Sequence, residues 1–272
     1  MPTQPIYTKN AAYQKFEVLR SNRNKRYKYN EFLVEGVRNI NEAVRHGWTV
    51  VSFLYSGDKP LSDWAGDLLR TTKTQVNYAL MNGLMDELSQ KGDSSELLAI
   101  VQMRENELSF STEENPVIAL FDRPSNKGNL GTMLRSCDAF GIAGLVITGH
   151  AVDVCDPDVV SASMGSFFHV PFLRLSDNGD IDAYMGQLRG RYPGIAVVGT
   201  TAHSALPLRE VDLTGPVLFL IGNETEGLNR RFTEICDVMA TIPMSRTASA
   251  SSLNVSCAAT VLFYEAARQR GQ

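Results

Sequence analysis

The chain has 272 residues, 43% of them hydrophobic, and a formal net charge of −4. That length suits one large domain or two modest ones with an ordinary apolar core, and the negative balance excludes a uniformly basic nucleic-acid binder. No run of eighteen apolar residues reads as a transmembrane helix, and the opening "MPTQPIYTKNAAYQKFEVLR" lacks the apolar stretch of a secretory signal, so a cytoplasmic location is expected.

Charge is uneven along the chain. Residues 1–50 hold nine Lys and Arg against four Glu, a local balance of +5, which leaves −9 for the remainder. "RSNRNKRYK" (20–28) packs five bases, three amide or hydroxyl side chains and Tyr27 into nine residues. A basic stretch with polar and aromatic side chains suits an RNA backbone and its unstacked bases; a solvated helix end or loop has the same composition. Arg23, Lys25, Arg26 and Lys28 are the candidate RNA contacts. Next, "FLVEGVRNINEAVRHGWTVVSFLYSGD" (32–58) predicts strand, helix, strand: Val37, Ile40, Ala43 and Val44 recur at helical spacing and Gly47 follows. Residues 61–71 and 82–90 read as helices and "ELLAIVQM" (96–103) as a strand. Together these make a small α/β unit over 1–103. "RENELSFSTEEN" (104–115) is polar, acidic and aperiodic, and reads as a linker.

From residue 116 to 272 the rhythm changes. Apolar strands are expected at 117–121, 145–149, 195–200, 217–222 and 240–244. Helices fall near 131–140, 158–167, 180–190 and 227–235, and a last one runs on from Ser252. Apolar strands alternating with helices imply a parallel sheet covered on both faces. Ligands of such sheets bind beyond the carboxyl ends of strands. Four of those ends carry small or polar residues: Gly128, Asn129 and Gly131 followed by Arg135; Thr200 and Thr201; Gly222, Asn223 and Glu224; and "SRTASASSLN" (245–254). Each alone also reads as a turn or a cap, with Ser252 capping the last helix and Arg135 an exposed helix residue. Cys137, Cys155, Cys236 and Cys257 form no CxxC pair, and His46, His150, His169 and His203 lack ligand spacing. Buried free thiols and no metal are the expectation.

Taken in order, "NLGTMLRSCDAFG" (129–141), "FLIGNETEGL" (219–228) and "IPMSRTASASSLNVSCAATVLFYEA" (242–266) resemble the three motifs of the SpoU (TrmH) family of RNA 2′-O-ribose methyltransferases. "VVSASMGSFFHVP" (159–171) is similar to the family's connecting segment. "NRNKRYKYNEFLVEGVRNINEAV" is similar to its ribosomal-protein-like (L30e-like) RNA-binding domain. The resemblance implies an α/β fold with a SPOUT-type, trefoil-knotted parallel sheet at the C-terminal end, a homodimer, and S-adenosyl-L-methionine as cofactor. Thr200, Gly222, Ile242 and Leu253 match positions that hold the cofactor, and Asn129, Arg135, Glu224, Ser252 and Asn254 match the catalytic set. "SNRNKR", "FDRP" and "IGNET" are similar to a branch that modifies a uridine ribose of large-subunit ribosomal RNA and confers antibiotic resistance. On that basis Glu224 is expected to orient Arg135 or Asn129 by charge-assisted hydrogen bonds. Thr225 departs from the glycine common in the family, "SNKG" lengthens the approach to Asn129, and Arg246 in a longer loop is an added RNA candidate. The alternatives are transfer RNA ribose methylation and a catalytically silent RNA-binding or ribosome-assembly protein. The lack of GxGxxG after a first strand disfavours a dehydrogenase.

Overall fold

A computed structural model of the protein describes residues 2–89, 95–104, 113–202 and 206–272. Most of the expected linker, 105–112, and His203 lie outside the described residues. The elements run β1 (Thr3–Ile6), α1 (Ala11–Ser21), α2 (Arg23–Tyr29), β2 (Glu31–Glu35), α3 (Val37–Arg45), β3 (Val50–Ser56), α4 (Asp63–Thr71), β4 (Asn77–Leu80), α5 (Leu84–Leu88) and β5 (Leu97–Gln102). They continue with β6 (Val117–Asp122), α6 (Lys127–Ala139), β7 (Gly144–Thr148), α7 (Pro157–Ala162), β8 (Phe172–Leu175), α8 (Asn178–Arg191), β9 (Ala196–Thr200), β10 (Leu206–Pro207), β11 (Val217–Ile221), α9 (Arg230–Ile235), β12 (Val238–Thr241) and α10 (Val255–Gln269). Among the described residues no helix is long and apolar enough to cross a membrane.

The chain divides into two compact units. The first is Met1–Glu105 together with Asp153–His169, and the second is Asn106–Val152 with Val170–Gln272. In the first unit a mixed sheet has the order β1-β4-β3-β5-β2, with β2 and β3 antiparallel to β5. Side chains alternate across β2, as the period of a strand requires. Leu33 joins the core made with Tyr13, Phe16 and Leu19 of α1. Phe32, on the other face, packs against Trp48, Phe167 and Phe168, and the Trp48 indole donates to the Phe168 carbonyl at 2.9 Å. That aromatic cluster is why 153–169 belongs to this unit. The basic stretch is two helices meeting at Asn22, whose side chain accepts from the Lys25 amide and caps α2. The second helix ends at Asn30 in the left-handed region (φ 55).

In the second unit seven strands, all parallel, have the order β10-β12-β9-β11-β6-β7-β8. The strand β11 is inserted between β9 and β6, both formed earlier in the chain. Leu218 and Leu220 face Ile181, Tyr184, Met185 and Leu188 of α8 and Phe232 of α9. Phe219 faces the other way, onto Phe263 of α10 with centroids 6.1 Å apart. Both faces are therefore covered, as a parallel sheet requires.

Candidate active site

Because the sheet of the second unit is parallel, β6, β9, β11 and β12 all release their chains at one edge. The strand β6 ends at Asp122, which is buried and accepts from Thr148 Oγ1, Asn229 Nδ2 and the Arg123 guanidinium, each at 3.1 Å. Arg123 stands in the left-handed region (φ 48). Its carbonyl accepts from Asn223 Nδ2 at 2.7 Å and its guanidinium pairs with Glu226 at 2.5 Å. Beyond β11 the chain makes a tight hairpin. Asn223 and Gly227 exchange backbone hydrogen bonds at 3.0 Å, and the Asn223 side-chain oxygen accepts from the amides of Thr225 (2.8 Å) and Glu226 (3.1 Å). A Cβ on Gly222 would lie 2.2 Å from the Gly227 carbonyl carbon and the Leu228 nitrogen. Glycine is required there because the returning hairpin crosses it, before any ligand is considered.

This hairpin carries Glu224. One carboxylate oxygen accepts from both the Ser125 amide (3.0 Å) and the Ser125 hydroxyl (2.8 Å). The other accepts from the Asn126 amide (3.1 Å) and Asn129 Nδ2 (3.2 Å). Burial works to raise the pKa of this carboxyl, but the Ser125 amide, the backbone of Glu224 itself and the side chains of Ser125 and Asn129 outweigh it and hold it below the ordinary Glu value. Glu224 is therefore ionised at neutral pH. A carboxylate only accepts, so it fixes which end of the Asn129 amide faces it. The other end, Asn129 Oδ1, accepts from Asn254 Nδ2 at 3.0 Å; the Ser256 hydroxyl lies 3.4 Å from it and donates to Asn254 Oδ1 at 2.7 Å. Asn254 in turn caps α10, its oxygen accepting from the amides of Ser256 and Cys257. Three strand-end segments are thus tied into one chain, Ser125–Glu224–Asn129–Asn254.

Beside this chain lies a cavity of about 520 Å³, within the range of small-molecule sites. Thr200, Gly222, Ile242 and Leu253 all line it, as do Glu224 and Ser252. Apolar side chains such as Leu228, Met244 and Leu262 share the lining with the carboxylates of Glu224 and Glu226. Apolar walls suit a planar base and the carboxylates suit positive charge, which fits the adenine and the cationic sulfonium and ammonium of S-adenosyl-L-methionine. Among the described residues no group of His, Cys, Asp and Glu side chains is placed to hold a metal ion.

Comparison with known proteins shows the family. The SpoU rRNA Methylase family model matches residues 116–264, and the SpoU L30e-like domain matches 10–99. The chain belongs to the SpoU rRNA methylase family. It is 43% identical over 267 residues, 97% of this chain and 92% of the relative, to the 23S rRNA (uridine(2479)-2′-O)-methyltransferase of Streptomyces viridochromogenes. It is 27% identical over 239 residues to the 23S rRNA (guanosine(2553)-2′-O)-methyltransferase RlmP of Bacillus subtilis, covering 88% of this chain and 89% of that one. The crystal structure of the SpoU methyltransferase AviRb from S. viridochromogenes in complex with AdoMet superposes with a TM-score of 0.90 at 43% identity, covering 97% and 99% of the two chains.

The SpoU motifs fall unequally on the structure. Asn129, Glu224 and Asn254 are joined, and of the two expected partners of Glu224 it is Asn129 that bonds to it. Arg135 sits exposed on α6 and makes no hydrogen bond or ion pair among the described residues. Ser252 is exposed at the cavity, and the cap expected of it is supplied by Asn254. Gly128 and Gly131 lie inside α6, which starts at Lys127 because Asn126 caps it. Ser125, Asn126 and Ser256 are site residues that sequence reasoning missed. Only Asn126 carried a signal, as a capping residue ahead of an apolar helix.

The basic stretch needs one correction. Arg26 is 1% exposed. Its guanidinium pairs with Asp153 at 2.7 Å and Asp156 at 3.2 Å, and also donates to the Leu19 and Arg20 carbonyls. It offers RNA nothing. Lys28 is exposed and Arg23 and Lys25 are half-exposed, with the Arg23 guanidinium 5.7 Å from the Tyr27 ring centroid. The cysteines are free, but only Cys137 and Cys155 are buried; Cys257 is exposed.

Proposed function

We propose that this chain methylates a ribose 2′-oxygen of large-subunit ribosomal RNA, at a uridine, using S-adenosyl-L-methionine. The observation that carries the proposal is the hydrogen-bonded chain of Glu224, Asn129 and Asn254 at the rim of a cofactor-sized cavity. The identity to a 23S rRNA uridine 2′-O-methyltransferase over nearly the whole chain supports the substrate. When bound, the cofactor supplies an electrophilic methyl group on a sulfonium centre. Thr200, Gly222, Ile242 and Leu253 hold it. Glu224 fixes Asn129, whose second Nδ2 proton is left over for a substrate oxygen. Arg135 stays protonated, since a guanidinium does not lose its proton at accessible pH. It binds the phosphate beside the reacting ribose and stabilises the developing alkoxide. Neither Arg135 nor Glu224 takes the 2′-hydroxyl proton in this reading, which leaves it to solvent water.

Arg23, Lys25 and Lys28 contact the RNA backbone. The insertion of β11 between two earlier strands supports the trefoil knot that the family resemblance implies. Exposed Val261 and Tyr264 on α10 support a homodimer, checked by light scattering. The cytoplasm is the expected compartment. The resemblance also implies antibiotic resistance, read out as a raised inhibitory concentration in cells expressing the chain.

The test supplies purified protein with methyl-labelled S-adenosyl-L-methionine and, separately, unmodified large-subunit RNA, small-subunit RNA and transfer RNA. Alkali-resistant label in large-subunit RNA is expected. Arg135→Ala should lower transfer about 10²- to 10³-fold with cofactor affinity unchanged by calorimetry. Label only in transfer RNA overturns the substrate, and cofactor binding with no label in any RNA favours a protein that has kept the pocket without the reaction.

A further inference from the structure

We infer that Ser125, in the segment "SNKG" that departs from the family pattern, is a positioning residue that holds Glu224 as a carboxylate and through it sets the Asn129 amide. Both of its donors, amide and hydroxyl, reach the same Glu224 oxygen, at 3.0 and 2.8 Å. The Asn126 amide and Asn129 Nδ2 fill the other oxygen. A carboxylate has about four lone-pair sites, and here four donors occupy them. Glu224 therefore has no lone pair left with which to take a proton from substrate, and its role is to orient. Of the four donors, the Ser125 hydroxyl is the only one that belongs to a side chain outside the three family motifs, so it can be removed without touching them.

The four donors that reach Glu224 are all neutral. Arg123 is engaged by Asp122 and Glu226. Asp122 is held by Thr148, Asn229 and Arg123. Along α6 stand Lys127 and Arg135, and the first turn of α10 carries Cys257. Burial raises the Glu224 pKa; the Ser125 amide, the Glu224 backbone, the Ser125 hydroxyl and the Asn129 amide lower it, in that order. The sign follows. A carboxyl with a lowered folded pKa is ionised above that value, and its orienting effect is lost as pH falls through it. Removing a donor raises the folded pKa, so the loss comes at a higher pH.

This inference rests on the methyltransferase reading, and its test has one arm that does not. In the first arm, Glu224 is followed by carboxyl carbon NMR in protein labelled at Glu, assigned with Glu224→Gln, in wild type, Ser125→Ala and Ser125→Thr. Glu224 should titrate at a higher pH in Ser125→Ala than in wild type, and Ser125→Thr, which keeps a hydroxyl, should restore it. In the second arm, Ser125→Ala should lower kcat for methyl transfer about tenfold, leave KM for cofactor unchanged and move the acid limb of the pH profile upward. Identical Glu224 titration in wild type and Ser125→Ala overturns the inference, whatever the activity. A wild type that transfers no methyl to any RNA overturns the functional reading and leaves the NMR arm to decide the role of Ser125. Ser125 is exposed, so both variants are expected to melt with wild type; an equal kcat loss in Ser125→Thr and Ser125→Ala also overturns the inference.

Discussion

Two charged side chains, one in each unit, are saturated with partners in opposite ways. In the first unit, Arg26 faces two carboxylates and two helix-end carbonyls and is 1% exposed. Tyr27 closes the cluster by donating to the other Asp153 oxygen at 3.1 Å. In the second, four neutral donors among the described residues hold Glu224 at the half-exposed edge of a cavity. Charge matched by charge in the interior is self-contained. Its partners are spent on each other and its contribution is to hold α1, α2 and the 153–169 segment in place. A carboxylate held by neutral donors passes order outward. It orients Asn129, which in turn accepts from Asn254. Sequence places both residues among hydrophilic neighbours, and only the partners separate the closed cluster from the open one.

The largest effect should come from breaking the closed cluster. Arg26→Met leaves Asp153 and Asp156 without their cation in a dry interior. Breaking a buried pair from one side costs about 3–5 kcal/mol. Trp48 and Trp64 both lie in the first unit, so tryptophan fluorescence during urea unfolding reports on that unit alone. Adding Asp153→Asn and Asp156→Asn should recover part of the loss. Wild-type stability in Arg26→Met would erase the contrast, since Arg26 would then be an ordinary surface cation.

A smaller effect is expected at the open site. Gly222→Ala puts a methyl group 2.2 Å from backbone atoms of Gly227 and Leu228, which no side-chain rotation relieves. Overpacking of this kind costs about 1–3 kcal/mol, and the hairpin that carries Glu224 must shift to accommodate it. Cofactor binding by calorimetry should fall sharply while the tryptophan signal of the first unit unfolds as in wild type. Unchanged cofactor affinity would mean that the hairpin position is not what shapes the cavity.

What the sequence makes legible divides along physical lines. Apolar strands 117–121 and 217–222 and the helix from Val37 were readable because burial on both faces, or on one helical face, imposes a period. The strands β1, β4, β8 and β10 escaped because each is only two to four residues long; β1, β8 and β10 also stand at sheet edges, where little apolar pattern is required, and β8 carries Arg174. The start of α6 was placed late because glycines at 128 and 131 look like loop, and the Asn126 cap decides otherwise. At the site, motif resemblance singled out Asn129, Glu224 and Asn254, but their bonds to one another join residues 95 and 125 apart in sequence. No local spacing encodes such a contact. Ser125 was invisible for the same reason. Arg26 was misread because composition registers a cation without registering that two aspartates 127 and 130 residues away close on it.

The smallest effect sharpens that last point. Binding that neutralises phosphates releases counterions, so log K falls linearly with log salt. Each contact contributes about 0.9 to the slope for a duplex and about 0.7 for a single strand. Lys28→Ala and Lys25→Ala should each weaken large-subunit RNA binding modestly and flatten the slope by about one contact's worth. Arg26→Lys keeps the same formal charge in the same segment, so any change it makes must come through the fold. Assayed at temperatures where it remains folded, it should leave the slope at its wild-type value. A flatter slope in Arg26→Lys would show that the buried guanidinium opens to the RNA on binding, and the distinction between a closed and an open cluster would then belong only to the free protein.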